Sequence, residues 1–575
     1  MSDLGQILLY SYHNGTFFET LVREATSHIH ATQSVADALL DIHNSGQLDV
    51  LAAYTELQIS QEDRSAFTLV HLLSKIMGKV ESSPKIVMDC IRSLEQNQHQ
   101  VFMLVSPFLE FCGKSEARCD YVLENMLAGY ESNFDFLMGA LVAGSKLNLK
   151  KYLDVATGSE LMSKPLFTEK AISSIGRMNF QGDDDLIDAA FNYIETVSQD
   201  SSKALLNTSL AALHSLYLQD KTREEDFLRF IGFCSASLDA SLVLAASEIL
   251  FFENGKSGLR IEDALLELGC NVSMDSLGAI NHLDYALEKI MTRGEFDKSV
   301  TNLERILENN NYQIGIGHFN SLTNLIIENK DTYLEKLITR WLLSGNAAKG
   351  RMCFDLLQHA PTSGMELSFD LPQLSGDYSF HHLFLAEKSC GWFFTLPLTA
   401  MSLIVSLVDT AADAQLESMK QIAINPLSIT YPGSIGRYLN SIKNQSNDKL
   451  KLFCESILGS LEKYHADLKP ALGIKELKPS EEERYRSAKH IQNINEKAMK
   501  KAEAGSLISL LGVHKSILLY GRKSISYMDT GSEKIRQEMP LHLYSTSVEY
   551  PSLQYIDPHN LDYHLLSLRL KGFEN

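Results

Sequence analysis

Residues 296–342 read FDKSVTNLERILENNNYQIGIGHFNSLTNLIIENKDTYLEKLITRWL. Phe296, Val300, Leu303, Ile306 and Leu307 fall three or four positions apart, the spacing that lines one face of a helix. Asn309-Asn310-Asn311 ends that stripe. Leu322, Leu325 and Ile326 open a second stripe, and Leu334, Leu337, Ile338, Trp341 and Leu342 a third. Between Asp275 and Gly350 about four or five helices are expected, joined by breaks of a few residues. Connections that short make consecutive helices antiparallel neighbours.

The same pattern extends towards the N-terminus. In Ser83–Gln96 the apolar residues Ile86, Val87, Cys90, Ile91 and Leu94 share a face, and Pro84 suits a first helical position. Asp183–Val197 repeats it with Leu186, Ile187, Ala190, Phe191, Ile194 and Val197, behind three acids that complement the helix dipole. Thr222 and Glu225 have the spacing of a capping box ahead of Phe227, Leu228, Ile231 and Cys234. Two helices with their breaks occupy roughly 35–40 residues, the period range of helical solenoids. On period and stripe, residues 15–360 resemble the HEAT and armadillo class of α-solenoid. That resemblance implies stacked antiparallel helix pairs and an extended surface for a macromolecular partner. An irregular multi-helix bundle is the competing arrangement.

Bulk properties agree with a helical, water-borne chain. The 575 residues exceed what one core organises, and 13 prolines leave long stretches free of helix breakers. The eight cysteines form no CxxC pair, and several sit among apolar neighbours, as Cys234 and Cys454 do. They read as buried thiols in a reducing compartment rather than zinc ligands, and a cytoplasmic protein is expected. Met1–Gln6 brings no basic residue ahead of the short apolar run 7–10, so no secretory signal is predicted. Residues 392–408, WFFTLPLTAMSLIVSLV, are uncharged but hold Pro397 and several hydroxyls. They read as a buried helix rather than a membrane span, which wants about 20 apolar residues.

Near Pro361 the pattern changes: 361–380 carries prolines, glycines and serines and reads as a boundary loop. His381-His382 follow, and neighbours on a helix diverge too far to share a metal readily. Helices are predicted near 411–424, 434–444 and 447–466, and a charged one from Pro479 to about Leu511. Beyond Gly512 the period becomes two, predicting a hairpin (516–520, 524–528), a third strand in 541–550 and a last helix over 561–570. The expected architecture is therefore mostly α, with a small C-terminal β-containing module. Its parts are a helical-repeat solenoid over 1–360, a helical continuation over 361–478, and a long charged helix plus β-hairpin module over 479–575.

Charge is uneven. The net charge is −20, yet residues 451–575 hold 16 acids against 18 bases. An acidic body repels polyanions, so nucleic acid would have to meet the C-terminal part. Arg484, Lys497, Lys500 and Lys501 lie along the predicted charged helix. Arg522, Lys523, Arg536, Glu538, His542, Glu549, Asp557 and His559 complete the candidate contact surface in the module. A metal-dependent nuclease would want an acid-x-lysine pair there, and Met539-Pro540 and Tyr550-Pro551 occupy those places. No P-loop, dinucleotide fingerprint, HExxH or GxSxG occurs, and isolated Ser, His and Asp residues give no reason to assemble a triad. The leading expectation is a non-catalytic scaffold or adaptor with a protein partner, no cofactor, no small-molecule substrate and no membrane contact. The alternatives are a nucleic-acid-contacting subunit of a multi-protein, defence-type assembly, and an enzyme with a metal site in the module.

Overall fold

The computed structural model describes residues 3–27, 31–57, 64–97, 101–130, 132–162, 164–199, 203–237, 239–253, 255–357, 364–374, 381–444, 447–474, 479–504 and 552–572, with the main chain of 516–520, 523–529 and 534–540. It is a chain of many packed helices, which account for 79% of the interpretable part and fix the fold class as mostly α. Contacts divide it into two units, Met1–Leu325 and Ile326–Asn575.

In the first unit the helices Phe136–Ser145, Pro165–Arg177, Lys203–Gln219, Ala240–Phe252 and Leu277–Thr292 pack each against the next. This row forms one layer, with exposed positions such as Leu244, Phe252 and Tyr285 on its outer face. All ten residues of Phe136–Ser145 are buried, as an apolar sequence without a polar face requires. A second set is amphipathic and covers it. Asp184–Gln199 and Glu224–Ser235 lie on Lys203–Gln219, Leu259–Gly269 on Ala240–Phe252, and Phe296–Asn309 on Leu277–Thr292. The buried residues of Phe296–Asn309 include the whole predicted stripe, each large apolar side chain adding roughly 1.5–3 kcal/mol. Such stacking is compatible with a solenoid-like architecture.

Local signals set the helix starts. Asp49 and Asp239 each accept two N–H groups of the first turn, and Asp183 accepts from Leu186 at 3.2 Å. The expected Thr222–Glu225 capping box is absent. Asp220 takes the Thr222 N–H at 3.0 Å and its hydroxyl at 2.7 Å, and the helix starts only at Glu224. A carboxylate two residues earlier outcompetes the hydroxyl as acceptor.

Ion pairs tie successive helix pairs together: Glu81 with Lys114 and Arg118, Glu116 and Asp120 with Lys151, Glu195 with Arg229, Glu262 with Arg293 and Lys298. Their partners are 31 to 37 positions apart in sequence.

In the second unit the apolar run 392–408 is divided between helices His381–Phe393 and Pro397–Ser406, the latter starting at its proline. No helix among the described residues is long and apolar enough to cross a membrane. The hydroxyls interrupting the run have a structural task. Residues 364–370 run extended between two helices, and their N–H groups alternate in direction. Met365, Leu367 and Phe369 donate to Thr399, Ser402 and Ser406, at 3.0, 2.9 and 3.1 Å. Ser368 and Asp370 donate to Glu335 and Thr339 of helix Glu335–Leu343, at 2.8 and 2.9 Å. An extended segment packed between helices must satisfy its N–H groups without a sheet neighbour, and here side chains take that place.

Helices Asp413–Ile422, Pro432–Ile442 and Asp448–Leu468 match the predicted three to within a few residues. Helix Glu481–Ala504 follows. The last helix, Pro558–Leu570, returns onto His381–Phe393 and buries Leu561, Leu565 and Leu568. Lys388, buried, donates to the carbonyls of Arg569 and Lys571 at 2.5 and 2.6 Å, while Lys571 pairs with Glu387 at 2.8 Å. The main chain of Ser516–Tyr520, Lys523–Asp529 and Lys534–Pro540 is drawn as antiparallel strands in that order. Their side chains and the predicted strand in 541–550 lie outside the described residues, so a β-containing module is not part of the fold established here.

Candidate functional site

Helix Glu481–Ala504 starts with a reciprocal cap: Glu483 N–H donates to Ser480 Oγ at 3.2 Å, and Ser480 N–H to Glu483 Oε2 at 2.8 Å. All its described side chains are exposed, among them Arg484, Lys497 and Lys500. The Lys501 side chain lies outside the described residues, as do Arg522, His542, Glu549 and the side chains of Lys523, Arg536 and Glu538. Asp557 caps the last helix, accepting from Asn560 N–H at 3.3 Å, and His559 is exposed in its first turn. Among the described residues no hydrogen bond or ion pair joins Arg484, Lys497 or Lys500 to Asp557 or His559. No group of three or more metal-ligating side chains occurs among the described residues, and all eight cysteines are free and buried.

A concave feature lies elsewhere, in the first unit. A groove of about 640 Å³ is bounded by helix Pro84–Gln96, the turn after Glu116–Leu127, and the start of Pro165–Arg177. The first helix contributes Arg92, Glu95 and Gln96; the turn contributes Tyr130, Ser132 and Asn133; the third element contributes Lys164, Leu166 and Phe167. The turn is fastened by Glu95, which accepts the Ser132 hydroxyl at 2.6 Å and the Asn133 N–H at 2.9 Å. Tyr130 donates to Asp89 at 3.2 Å, and burial together with that carboxylate pushes its phenol up to about 12. It stays a neutral donor throughout the physiological range.

Both cations of the groove lie over rings: the Arg92 guanidinium 4.9 Å from the Tyr130 centroid, and the Lys164 ammonium 4.9 Å from that of Phe167. Neither has a carboxylate partner among the described residues. Glu95, the acid between them, is committed to the turn. Leu166 beside them is 60% exposed. The groove therefore offers two cation-on-ring platforms and an apolar edge. Such a lining suits a carboxylate and an aliphatic side chain. It lacks a nucleophile–base pair or a ligand set for a metal. Sequence reasoning missed it because its walls come from segments some 35 to 75 positions apart, none with a motif of its own.

No protein-family model, no curated protein and no solved structure matches this chain.

Proposed function

We propose that this chain is a protein-binding scaffold, and that the 640 Å³ groove receives an extended segment of the partner carrying an acidic residue beside an aliphatic one. The observation that carries this reading is the pair of ring-supported cations, Arg92 and Lys164, without acid partners among the described residues in a protein of net charge −20. In an acidic chain most basic groups are consumed by neighbouring acids, so two left facing one groove invite a carboxylate from outside. The stacked helix pairs, tied at offsets of 31 to 37 residues, support reading the first unit as a HEAT- or armadillo-like solenoid. Eight free buried thiols support a reducing, cytoplasmic setting.

The test replaces Leu166 by a photo-cross-linking residue in the full chain and identifies the cross-linked peptide. The expected product is a peptide holding Asp or Glu next to Leu, Ile or Val. Reversal of both cations (Arg92→Glu with Lys164→Glu) should abolish the cross-link while leaving helicity unchanged. A cross-link that survives the double reversal would sink the reading. A nucleic-acid role through Arg484, Lys497 and Lys500 has one observation in its favour, their exposure on helix Glu481–Ala504. It requires a salt-dependent gel shift lost on reversal of Lys497 and Lys500.

A further inference from the structure

The turn between helices Ala240–Phe252 and Leu259–Gly269 brings a serine to a buried histidine. Ser257 Oγ lies 2.7 Å from His214 Nε2. His214 projects from helix Lys203–Gln219 and is packed against the rings of Tyr217 and Phe227, with centroids 6.2 and 5.7 Å away. Ser257 is half-buried and reachable from solvent, whereas the imidazole is 2% exposed. The turn is held from three directions. Gly258 N–H donates to Tyr217 Oη at 3.0 Å, Lys221 Nζ to the Lys256 carbonyl at 2.7 Å, and Lys256 pairs with Glu253 at 2.6 Å. The serine therefore sits on a fastened turn, as a positioned group must. Glu253, Gly255, Ser257 and Glu262 line a small recess beside it whose interior, about 10 Å³, is near the room of one water.

We propose that Ser257 is a nucleophile towards activated acyl esters, with His214 as its general base. This activity is separate from the groove, and either can fail without the other. The groups facing the imidazole are Glu253, which favours its protonation, and Lys221 and Lys256, which oppose it. Glu224 approaches the same turn from helix Glu224–Ser235. Burial outweighs them all and holds His214 down to about 4, so at neutral pH the ring is an unprotonated acceptor. In the acylation step Ser257 Oγ bonds to the ester carbonyl carbon and its proton passes to His214 Nε2. The bond from carbon to the alcohol oxygen then breaks, and the departing alkoxide takes that proton. Water repeats the sequence: it attacks the acyl carbon, His214 takes its proton, the bond to Ser257 Oγ breaks, and the serine recovers the proton. The first-turn N–H groups of helix Leu259–Gly269, which starts two residues after Ser257, lack intrahelical acceptors and are the donor type that stabilises an oxyanion. A base this weak, with no carboxylate bonded behind it among the described residues, makes for slow turnover.

The experiment treats the full chain with a fluorophosphonate, which phosphonylates an activated serine with loss of fluoride, and maps the adduct by mass spectrometry. Ser257 should be modified roughly 100-fold faster than the exposed Ser273, the low end of what a positioned general base contributes. Ser257→Ala should abolish the fast adduct without changing the circular dichroism, and His214→Gln should slow it by about the same roughly 100-fold. If the histidine variant does not fold, the wild-type pH series decides. Between about pH 5.5 and about 8 the base has already lost its proton, so the rate should be flat. A rate rising tenfold per pH unit in that window overturns the proposal, as does a Ser257 labelled no faster than Ser273.

Discussion

Glu262 is the carboxylate whose removal should cost most in the first unit. Its side chain is 6% exposed and accepts from Arg293 at 2.9 and 2.7 Å and from Lys298 at 2.7 Å. Three charge-assisted bonds are lost in Glu262→Ala, each worth about 1.5–3 kcal/mol with both partners in place. The cations left behind are 31% and 20% exposed, and they keep Glu295 and Asp263 as partners. The net cost should therefore fall to about 2–3 kcal/mol, under the roughly 3–5 kcal/mol of a fully buried pair broken on one side. Glu262→Gln keeps the shape and an acceptor oxygen and should cost about 1–2 kcal/mol. Because a chain of this length does not unfold in one step, the assay is hydrogen exchange of helices Leu259–Gly269 and Phe296–Asn309 in the full protein. The alanine variant should lose about 30- to 150-fold in protection there. Burial raises the Glu262 carboxyl, but the bonds from Arg293 and Lys298 more than offset it, so its pKa lies below the ordinary 4.5. The stabilisation is then full above the unfolded value and disappears as pH falls through the lowered folded one, so the two proteins should converge in acid. Protection in Glu262→Ala within about 0.5 kcal/mol of wild type, or Glu262→Leu more protected than wild type, would refute the reasoning. The second result would mean that desolvation outweighs the three bonds.

Three further outcomes follow from single contacts. A methyl on Gly176 would stand 2.7 Å from Ala212 Cα where helices Pro165–Arg177 and Lys203–Gln219 pack together, so Gly176→Ala should cost about 1–3 kcal/mol despite alanine's better helix propensity. Ala212→Gly should rescue it only in part, since the nearer atom is backbone; thermal melts of the single and double variants check this. Asp239→Ala removes the cap that accepts the N–H groups of Ser241 and Leu242, both at 2.9 Å, and should cost about 1 kcal/mol, read as faster exchange in the first turn of Ala240–Phe252. Burial lowers Lys388 to about 8, so its charge weighs against folding below that value, and the cost fades as pH rises from there towards the ordinary 10.5. Urea unfolding followed by the fluorescence of Trp341 and Trp392, the two tryptophans, should show wild type gaining on Lys388→Met across that window.

What the sequence disclosed is what the chain decides locally. The stripe Phe296–Leu307 is buried as read, and Pro84 opens its helix. In each case the deciding partners lie within about four residues, so their spacing is itself the evidence. The run 392–408 was legible as buried, but the purpose of Thr399, Ser402 and Ser406 was not. They serve an extended segment some 35 positions away that reads, by composition, as a mere boundary loop. Thr222 shows the opposite failure: the motif was present, but Asp220 offered a stronger acceptor two residues earlier. The groove was invisible for the same non-local reason, since Arg92, Tyr130 and Lys164 each look like an ordinary surface residue.

These non-local contacts share one regularity, and it bears on where chemistry can arise in such a chain. Helix pairs packed in succession bring a residue against others roughly one pair further on. The ion pairs lie 31 to 37 positions apart, the groove's Glu95 meets Asn133 at 38, and Tyr217 meets Gly258 at 41. Ser257 and His214, separated by 43, belong to the same series. A catalytic pair drawn from two successive helix pairs therefore does not announce itself as a short motif, because its partners in space are a full helix pair apart in sequence. The absence of GxSxG consequently says less here than it would in a sheet-based enzyme, where a strand and its following turn present the nucleophile together. The informative search in a stacked-helix chain is for a nucleophile and a base one pair apart with the base on the buried face, and Ser257 with His214 satisfies both conditions.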